Sequence, residues 1–236
     1  MAISTEPGLP AYAELHCISN YSFLRGASHP EELVAQAWQL GYTGLAITDE
    51  CSLAGAVRAH EGLKEVLNHF NLTTEETDFK LIYGSEFTLK CGFKLVLLAC
   101  NRAGYGNLSA LITLGRRRAP KGTYQLNRGD LEGLAPATVM PDCLALWIPH
   151  DTATDADARW FAERFAGRGW LAVELHSGPD DAGKLARLRA LADHAGLPLV
   201  ATGDVHMHRR GRRPLQDTLT ALRHRLNVFE AGHRLF

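Results

Sequence analysis

The sequence lacks the cysteine spacing of a disulfide framework or of a thiolate zinc site. Its five cysteines are odd in number, and no two of them form a CxxC pair. It also lacks any apolar run that approaches membrane-spanning length, and its first residues have neither the basic start nor the apolar core of a signal peptide. These absences predict a soluble protein of the reducing cytoplasm.

Strong net charge is missing as well. The formal net charge of -1 at pH 7 gives the chain no overall attraction to nucleic acid. Two local basic clusters remain, Arg116–Arg118 with Lys121, and Arg209–Arg210 with Arg212–Arg213. Each cluster is either a contact for DNA or for another protein segment, or a solvated face that stabilises a helix end.

Short apolar strands alternate with helices along most of the chain. With 236 residues, 46% of them hydrophobic, the chain can bury one barrel-sized core or two smaller ones. Strands are predicted at 12–16, 42–48, 80–89, 94–100, 143–148, 170–175 and 198–202. The helices between them, such as 155–166 and 181–195, predict parallel crossover units, and about seven such units favour a barrel over a small open sheet.

Two further features punctuate this pattern. Ser28 and Glu31 match a capping box at the start of a helix that is predicted to reach Leu40, with Gly41 as its left-handed stop. Residues 68–78 are polar, and they predict either a surface loop or an extension of the helix before them.

Polar side chains that can bind metal or transfer protons follow several predicted strands. In a barrel of alternating strands and helices, the C-terminal ends of the strands converge on one rim. Histidine and carboxylate groups are the ligands that zinc, manganese and iron take in hydrolytic sites. The residues concerned are His16, Asp49, Glu50, Glu86, His150, His176, Asp204 and His206.

Asp204 and His206 are the clearest pair in this set. They are two residues apart, which predicts side chains on the same face of an extended strand. The pair is either part of a metal site or a buried, hydrogen-bonded pair with a structural role.

Four motifs, in order, resemble those of a PHP (polymerase and histidinol phosphatase) domain. They are Glu14–Ala27, Gly44–Glu50, Gly84–Phe87 and Ala201–His206. More narrowly, Arg116–Gly122 and Arg213–Leu219 are similar to segments of the N-terminal PHP domain of error-prone DNA polymerases, C-family enzymes related to the bacterial DNA polymerase III alpha subunit. The resemblance covers essentially the whole chain.

This resemblance implies an α/β fold, a distorted (β/α)7 TIM-like barrel of the PHP type. Residues 1–11 would form a leader, and 12–236 a PHP domain truncated from a longer polymerase chain. The implied cofactor is zinc or manganese, held by His16, Glu86, Asp204 and His206, with Glu50 in place of a further histidine. The carboxylates that hold magnesium for polymerisation are not identifiable here, so magnesium and DNA are expected to bind in the full-length protein.

The departures from the family pattern predict a degenerate metal site. Ile18 replaces the second histidine of the HxH motif and cannot coordinate a metal. Arg25 stands where metal-competent polymerase members carry an acidic residue, and Lys94 stands where they carry histidine. Clustered carboxylates repel one another unless a cation lies among them, so Arg25 or Lys94 is expected to supply that charge. The alternative is that Arg25 and Lys94 are solvated surface residues.

Two functions follow from the resemblance. The first is a mainly structural module within an error-prone polymerase that takes part in damage-tolerant DNA synthesis. The alternative is a stand-alone metal-dependent phosphoesterase or 3′–5′ exonuclease of the PHP family, in which a water is activated by metal on the residues named above.

Overall fold

The computed structural model describes residues 11–131 and 139–235. The chain divides into two compact units: the first contains residues 11–83 and 204–235, and the second contains residues 84–203. Most of the predicted leader, residues 1–10, and the end of a short helix predicted at 127–134 lie outside the described residues.

The first unit is built on parallel strands. They are β1 (Ala13–Cys17), β2 (Gly44–Ile47) and the first half of β3 (Lys80–Thr88), paired in that order. All of β2 is buried, as the sequence predicts for a strand that is covered on both faces.

Two helices cover these strands. They are α1 (Pro30–Gln39) and α2 (Ala56–His69), and a core cluster is formed by Leu33, Val34, Leu45, Leu63, Leu67 and Phe79. Helix α2 ends at His69, so the polar segment 68–78 begins as a helix extension and continues as turns.

The start of α1 differs from the prediction by one residue. His29, not Ser28, is the N-cap, and the His29 backbone N–H donates to Glu32 Oε2 at 2.9 Å. The Ser28 hydroxyl instead accepts from the His208 backbone N–H and lies 2.7 Å from His208 Nδ1. The predicted capping box is therefore wrong, because Ser28 is engaged by a distant part of the sequence. Gly41 has a φ of 73°, which confirms the predicted left-handed stop.

The strands of the second unit pair with one another in sequence order. This unit contains the rest of β3, then β4 (Lys94–Ala99), β5 (Cys143–Ile148), β6 (Gly169–Val173) and β7 (Leu199–Ala201). Strand β4 is antiparallel to both β3 and β5, so the expectation of parallel crossover units does not hold for this strand. The reason is local: a tight turn with Gly92 at φ 83° joins β3 to β4, which leaves no room for a crossover helix.

The described part of the second unit contains four helices, which are α3 (Arg102–Arg117), α4 (Arg128–Leu131), α5 (Asp155–Arg164) and α6 (Asp181–Ala195). The bounds of α6 are those predicted, and Gly196 ends it with a φ of 66°. Phe93 stacks on the buried Trp147 with ring centroids 5.2 Å apart, and Phe161 and Phe165 extend this aromatic core.

Helices α7 (Arg213–His224) and α8 (Val228–Ala231) complete the first unit. Within residues 11–131 and 139–235, no helix has both the length and the apolar character needed to cross a membrane.

Two glycines of α3 allow a matched test of the packing in the second unit. A Cβ at Gly104 would lie 2.1 Å from the Asp142 carbonyl oxygen, whereas a Cβ at Gly106 would meet nothing within 4 Å. We expect Gly104→Ala to lower the free energy of unfolding by about 1–3 kcal/mol through overpacking. Gly106→Ala should raise it by up to about 1 kcal/mol, because alanine favours the helix. Urea unfolding measures both changes, and equal effects would contradict this packing.

Candidate metal centre

The last of the four motifs is held in the first unit by backbone hydrogen bonds to the first motif. The Ile18 N–H donates to the Val205 carbonyl oxygen at 2.9 Å, and the Val205 N–H donates to the His16 carbonyl oxygen at 2.9 Å. At the far end of the loop, the Ala27 N–H donates to the His206 carbonyl oxygen at 2.8 Å. Backbone hydrogen bonds alone therefore hold the first and the last motif together.

His16, Asp204 and His206 meet at one carboxylate oxygen. Asp204 Oδ1 lies 3.5 Å from His16 Nδ1 and 3.1 Å from His206 Nε2. The His16 side chain is fully buried, and the other two are partly buried. Ile18, at the second position of the HxH motif, is fully buried as well.

The backbone conformation that brings Asp204 close to His206 differs from the predicted extended strand. Strand β7 ends at Ala201, and Asp204 has a left-handed backbone with a φ of 46°. The two residues therefore do not share the face of an extended strand. Aspartate tolerates this conformation better than most residues because its short polar side chain can bond locally, and here it does so with His206.

The donor atoms that meet at Asp204 are of types that bind metal ions. Two ligands bound about 2.1 Å from a tetrahedral zinc lie about 3.4 Å from each other. The two oxygen–nitrogen distances at Asp204, 3.5 and 3.1 Å, match that spacing. Two histidines and one carboxylate are also a ligand set that zinc and manganese accept.

Gln216 of α7 is a contact that the sequence did not indicate. Its side-chain nitrogen donates to the Arg25 carbonyl oxygen at 2.7 Å and lies 3.4 Å from His206 Nδ1. Gln216 therefore orients the ring whose opposite nitrogen faces Asp204. A glutamine in an amphipathic helix carries no local signal for this role.

Arg25 and Glu50 form an ion pair in the first unit. Arg25 Nη1 donates to Glu50 Oε2 at 2.8 Å, and the Arg25 side chain is only 12% exposed. The alternative of a solvated loop arginine is therefore wrong.

Asp49, next to Glu50, organises the loop of the first motif. Its carboxylate accepts from the Ser19 N–H and hydroxyl, both at 2.8 Å, and from the Ser22 hydroxyl at 2.7 Å. Burial raises the pKa of Asp49, although these hydrogen bonds from Ser22 and Ser19 oppose the shift. Both carboxylate oxygens are occupied by the loop, so Asp49 serves as a structural anchor.

Glu86 and Lys94 form a second ion pair, in the second unit. Lys94 Nζ lies 3.0 Å from Glu86 Oε2, and the two side chains are 25% and 1% exposed, respectively. They lie on the antiparallel strands β3 and β4, whose register pairs Glu86 with Val96 and Thr88 with Lys94. The hairpin explains this contact. Lys94 lies at the start of β4, and its long side chain extends along the neighbouring strand to the buried Glu86.

Glu174 is a buried acid that the sequence reasoning missed. It follows β6 and accepts from the Thr202 hydroxyl at 3.0 Å, while its carbonyl oxygen accepts from Lys184 at 2.6 Å. The sequence feature that could have indicated Glu174 is its position as an acidic residue within the apolar strand predicted at 170–175.

The remaining candidates of the sequence analysis are exposed or have local partners. His150 and His176 are exposed in the second unit. In the first arginine cluster, Arg118 pairs with Asp130 at 2.6 Å. In the second cluster, Arg212 pairs with Glu32, and Arg213 with Asp217.

Comparison with known proteins decides the family. The model of the PHP domain matches residues 14–145, which is more than half of the chain. The chain belongs to the PHP domain family. The matched region includes three of the four motifs, and His16, Glu50 and Glu86 lie within its bounds.

The curated relatives are larger proteins. The chain is 62% identical to the error-prone DNA polymerase of Azoarcus sp. (strain BH72), over 96% of this chain and 23% of that protein. It is 60% identical to the error-prone DNA polymerase of Dechloromonas aromatica (strain RCB), over 97% of this chain and 21% of that protein. This PHP domain thus spans about a fifth of the length of the curated relatives that it matches.

A solved structure supports the fold. An amidohydrolase from Chromobacterium violaceum is similar over 84% of this chain and 88% of its own, with a TM-score of 0.57 at 17% sequence identity. Together with the family match, this likeness confirms the predicted α/β fold of the PHP type.

The ion pair of Arg25 can be tested by stability. Arg25→Gln should lower the free energy of unfolding by about 1–3 kcal/mol, because it leaves the partly buried Glu50 without this charge partner. Arg187→Gln is the matched control, since Arg187 pairs with Asp151 while both side chains are exposed, at 48% and 81%. The control should change stability by less than about 1 kcal/mol in urea unfolding. Equal losses in the two variants would show that the Arg25 pair has no special role.

Proposed function

We propose that this chain is the N-terminal PHP domain of an error-prone C-family DNA polymerase, and that its metal site is degenerate. The polymerase assignment is supported by the two relatives, which are 60% and 62% identical over nearly the whole chain. The observation that carries the degenerate site is the ion pair between Lys94 and the buried Glu86. The domain then acts mainly as a structural module of the polymerase.

The physical basis is a replacement of metal charge by protein charge. A buried carboxylate is strongly unfavourable unless it meets a cation and hydrogen-bond donors. Lys94 provides both to Glu86, and Arg25 provides both to Glu50. A divalent ion at either carboxylate would have to displace a covalently tethered cation, whose local concentration is always high.

His16, Asp204 and His206 keep the capacity for one ion. These residues would hold zinc or manganese through two ring nitrogens and one carboxylate oxygen. Such an ion would lower the pKa of a bound water and so supply a nucleophile. Without an ion, the same Asp204 oxygen holds the two histidine rings in place.

The polymerase chemistry belongs to the rest of the longer protein. Magnesium, DNA and phosphoryl transfer are assigned there, because the relatives extend about fourfold beyond the matched region. A cytoplasmic location fits this role in DNA synthesis during damage tolerance.

The second candidate is a metal-dependent phosphoesterase or 3′–5′ exonuclease. The contacts of Asp204 favour it, since one carboxylate oxygen lies 3.5 Å and 3.1 Å from two histidine nitrogens. The two ion pairs weigh against it, because PHP hydrolysis through several metals needs the carboxylates that Arg25 and Lys94 occupy.

Metal content tests the degenerate site. After purification and dialysis against a weak chelator, we expect at most one tightly bound metal per chain by elemental analysis. His206→Ala should remove that metal, because it removes one of three ligands. Two or more metals per chain would contradict the proposal.

Activity separates the two candidate functions. The full-length protein should extend a DNA primer with magnesium. The 236-residue chain should hydrolyse neither a phosphate monoester nor the 3′ end of DNA when manganese or zinc is added. Hydrolysis that disappears in His206→Ala would favour the phosphoesterase instead, whereas hydrolysis that survives in that variant would indicate a contaminating enzyme.

A further inference from the structure

The second unit contains a cavity of about 250 Å³ that the PHP resemblance does not explain. It lies among the β3–β4 turn, α4 and the start of α5. Its floor includes the stacked rings of Phe93 and Trp147. Its polar lining consists of Cys91, Lys94, Arg128, His150, Thr152 and Asp157.

The acceptors of this cavity are already satisfied. Among the described residues that line it, Asp157 is the one carboxylate, and Arg128 donates to the Oδ1 atom of that group. The other oxygen, Oδ2, accepts from the Thr154 N–H at 3.0 Å and from the Thr154 hydroxyl at 2.7 Å. Asp157 is thereby committed to the start of α5 and to Arg128.

The donors exceed these bonds. A guanidinium carries five N–H groups in a fixed fork, and the bonds to Asp157 and Cys91 use only part of the fork on Arg128. Lys94 lines the same wall, and its ammonium, which has three N–H donors, is also paired with Glu86 at 3.0 Å. The cavity is therefore rich in hydrogen-bond donors and poor in available acceptors.

His150 adds a donor with a defined direction. The Thr152 N–H donates to His150 Nδ1 at 3.3 Å, so Nδ1 is the acceptor of the neutral ring. The proton of the neutral ring then lies on Nε2, which is free to donate elsewhere.

Arg128 is held in place before any ligand binds. Its guanidinium carbon lies 4.9 Å from the centroid of the Phe93 ring and 4.5 Å from that of the Trp160 ring. Cation–π contacts and the ion pair with Asp157 fix the side chain, so that binding costs little conformational entropy.

We propose that this cavity binds a phosphate group through Arg128, Lys94 and His150. A phosphate accepts hydrogen bonds on all its oxygens, which complements a wall of donors, and a guanidinium fork suits its geometry. The volume is below the roughly 300–1,000 Å³ of pockets for drug-sized ligands. The cavity therefore takes the phosphate itself, with any ester substituent outside, and this site does not depend on the polymerase assignment.

Binding is tested with three probes on the 236-residue chain: inorganic phosphate, deoxyadenosine 5′-monophosphate and deoxyadenosine. Calorimetry and the fluorescence of Trp147 follow the titrations. Phosphate and the nucleotide should bind saturably, and the nucleoside should not. Equal affinities would identify inorganic phosphate as sufficient, and tighter binding of the nucleotide would identify a phosphate ester. Absence of saturable phosphate binding would overturn the proposal.

Two variants locate the binding. Arg128→Lys keeps the positive charge but loses the fork, and His150→Ala removes one donor while leaving both ion pairs intact. Each should weaken phosphate binding by about tenfold, the loss expected for a hydrogen bond to a charged group. Arg187→Gln removes a charge that does not line the cavity, so this variant should bind phosphate with the affinity of the unmodified chain. If Arg128→Lys does not fold, the phosphate affinity of His150→Ala alone tests the location of the site. Equal weakening in His150→Ala and Arg187→Gln would overturn the site.

Discussion

A carboxylate that leaves water must receive hydrogen-bond donors or a positive charge, and this requirement shapes the surroundings of the buried acids in each of the two units. Asp49 receives serine hydroxyl and backbone donors, Glu174 receives a threonine hydroxyl, and Glu86 receives an ammonium. In a metal-loaded site, divalent ions would meet the same requirement. The protein can therefore keep its buried acids at the strand ends while it changes what neutralises them.

This exchange accounts for the mixture of retained and replaced residues. Asp204 Oδ1 lies within 3.5 Å of a ring nitrogen of both His16 and His206, and backbone bonds between the first and last motifs fix these residues. Glu50 and Glu86 keep their negative charge but face arginine and lysine. Side chains of the domain itself thus pair with these two acids.

Much of the fold can be read from the sequence where the signal is local. The bounds of β5 and α6 agree with the prediction, since an apolar run and a final glycine mark them. The sequence indicates β3 and β4 as consecutive strands but does not indicate their relative direction. The tight turn at Gly92 makes them antiparallel. The left-handed Asp204 and the role of Gln216 were also missed, because a residue's backbone conformation and a distant contact leave no periodic pattern.

The motifs located the candidate residues more reliably than strand ends alone. His150 and His176 follow strands as His16 does, yet both are exposed, whereas His16 is buried against Asp204. Position after a strand is a weak signal, since many loops carry polar residues for solvation. The order and spacing of the four motifs reduce the number of candidate site residues further.

The central claim is that Lys94 supplies the charge that buried Glu86 requires, and a double-mutant cycle in urea unfolding tests it most directly. The account predicts that Lys94→Met lowers the free energy of unfolding by about 2–4 kcal/mol, because it leaves a buried carboxylate without this cation. Adding Glu86→Gln to that variant should recover most of the loss. Additive effects of the two substitutions, within about 0.5 kcal/mol, would contradict the account.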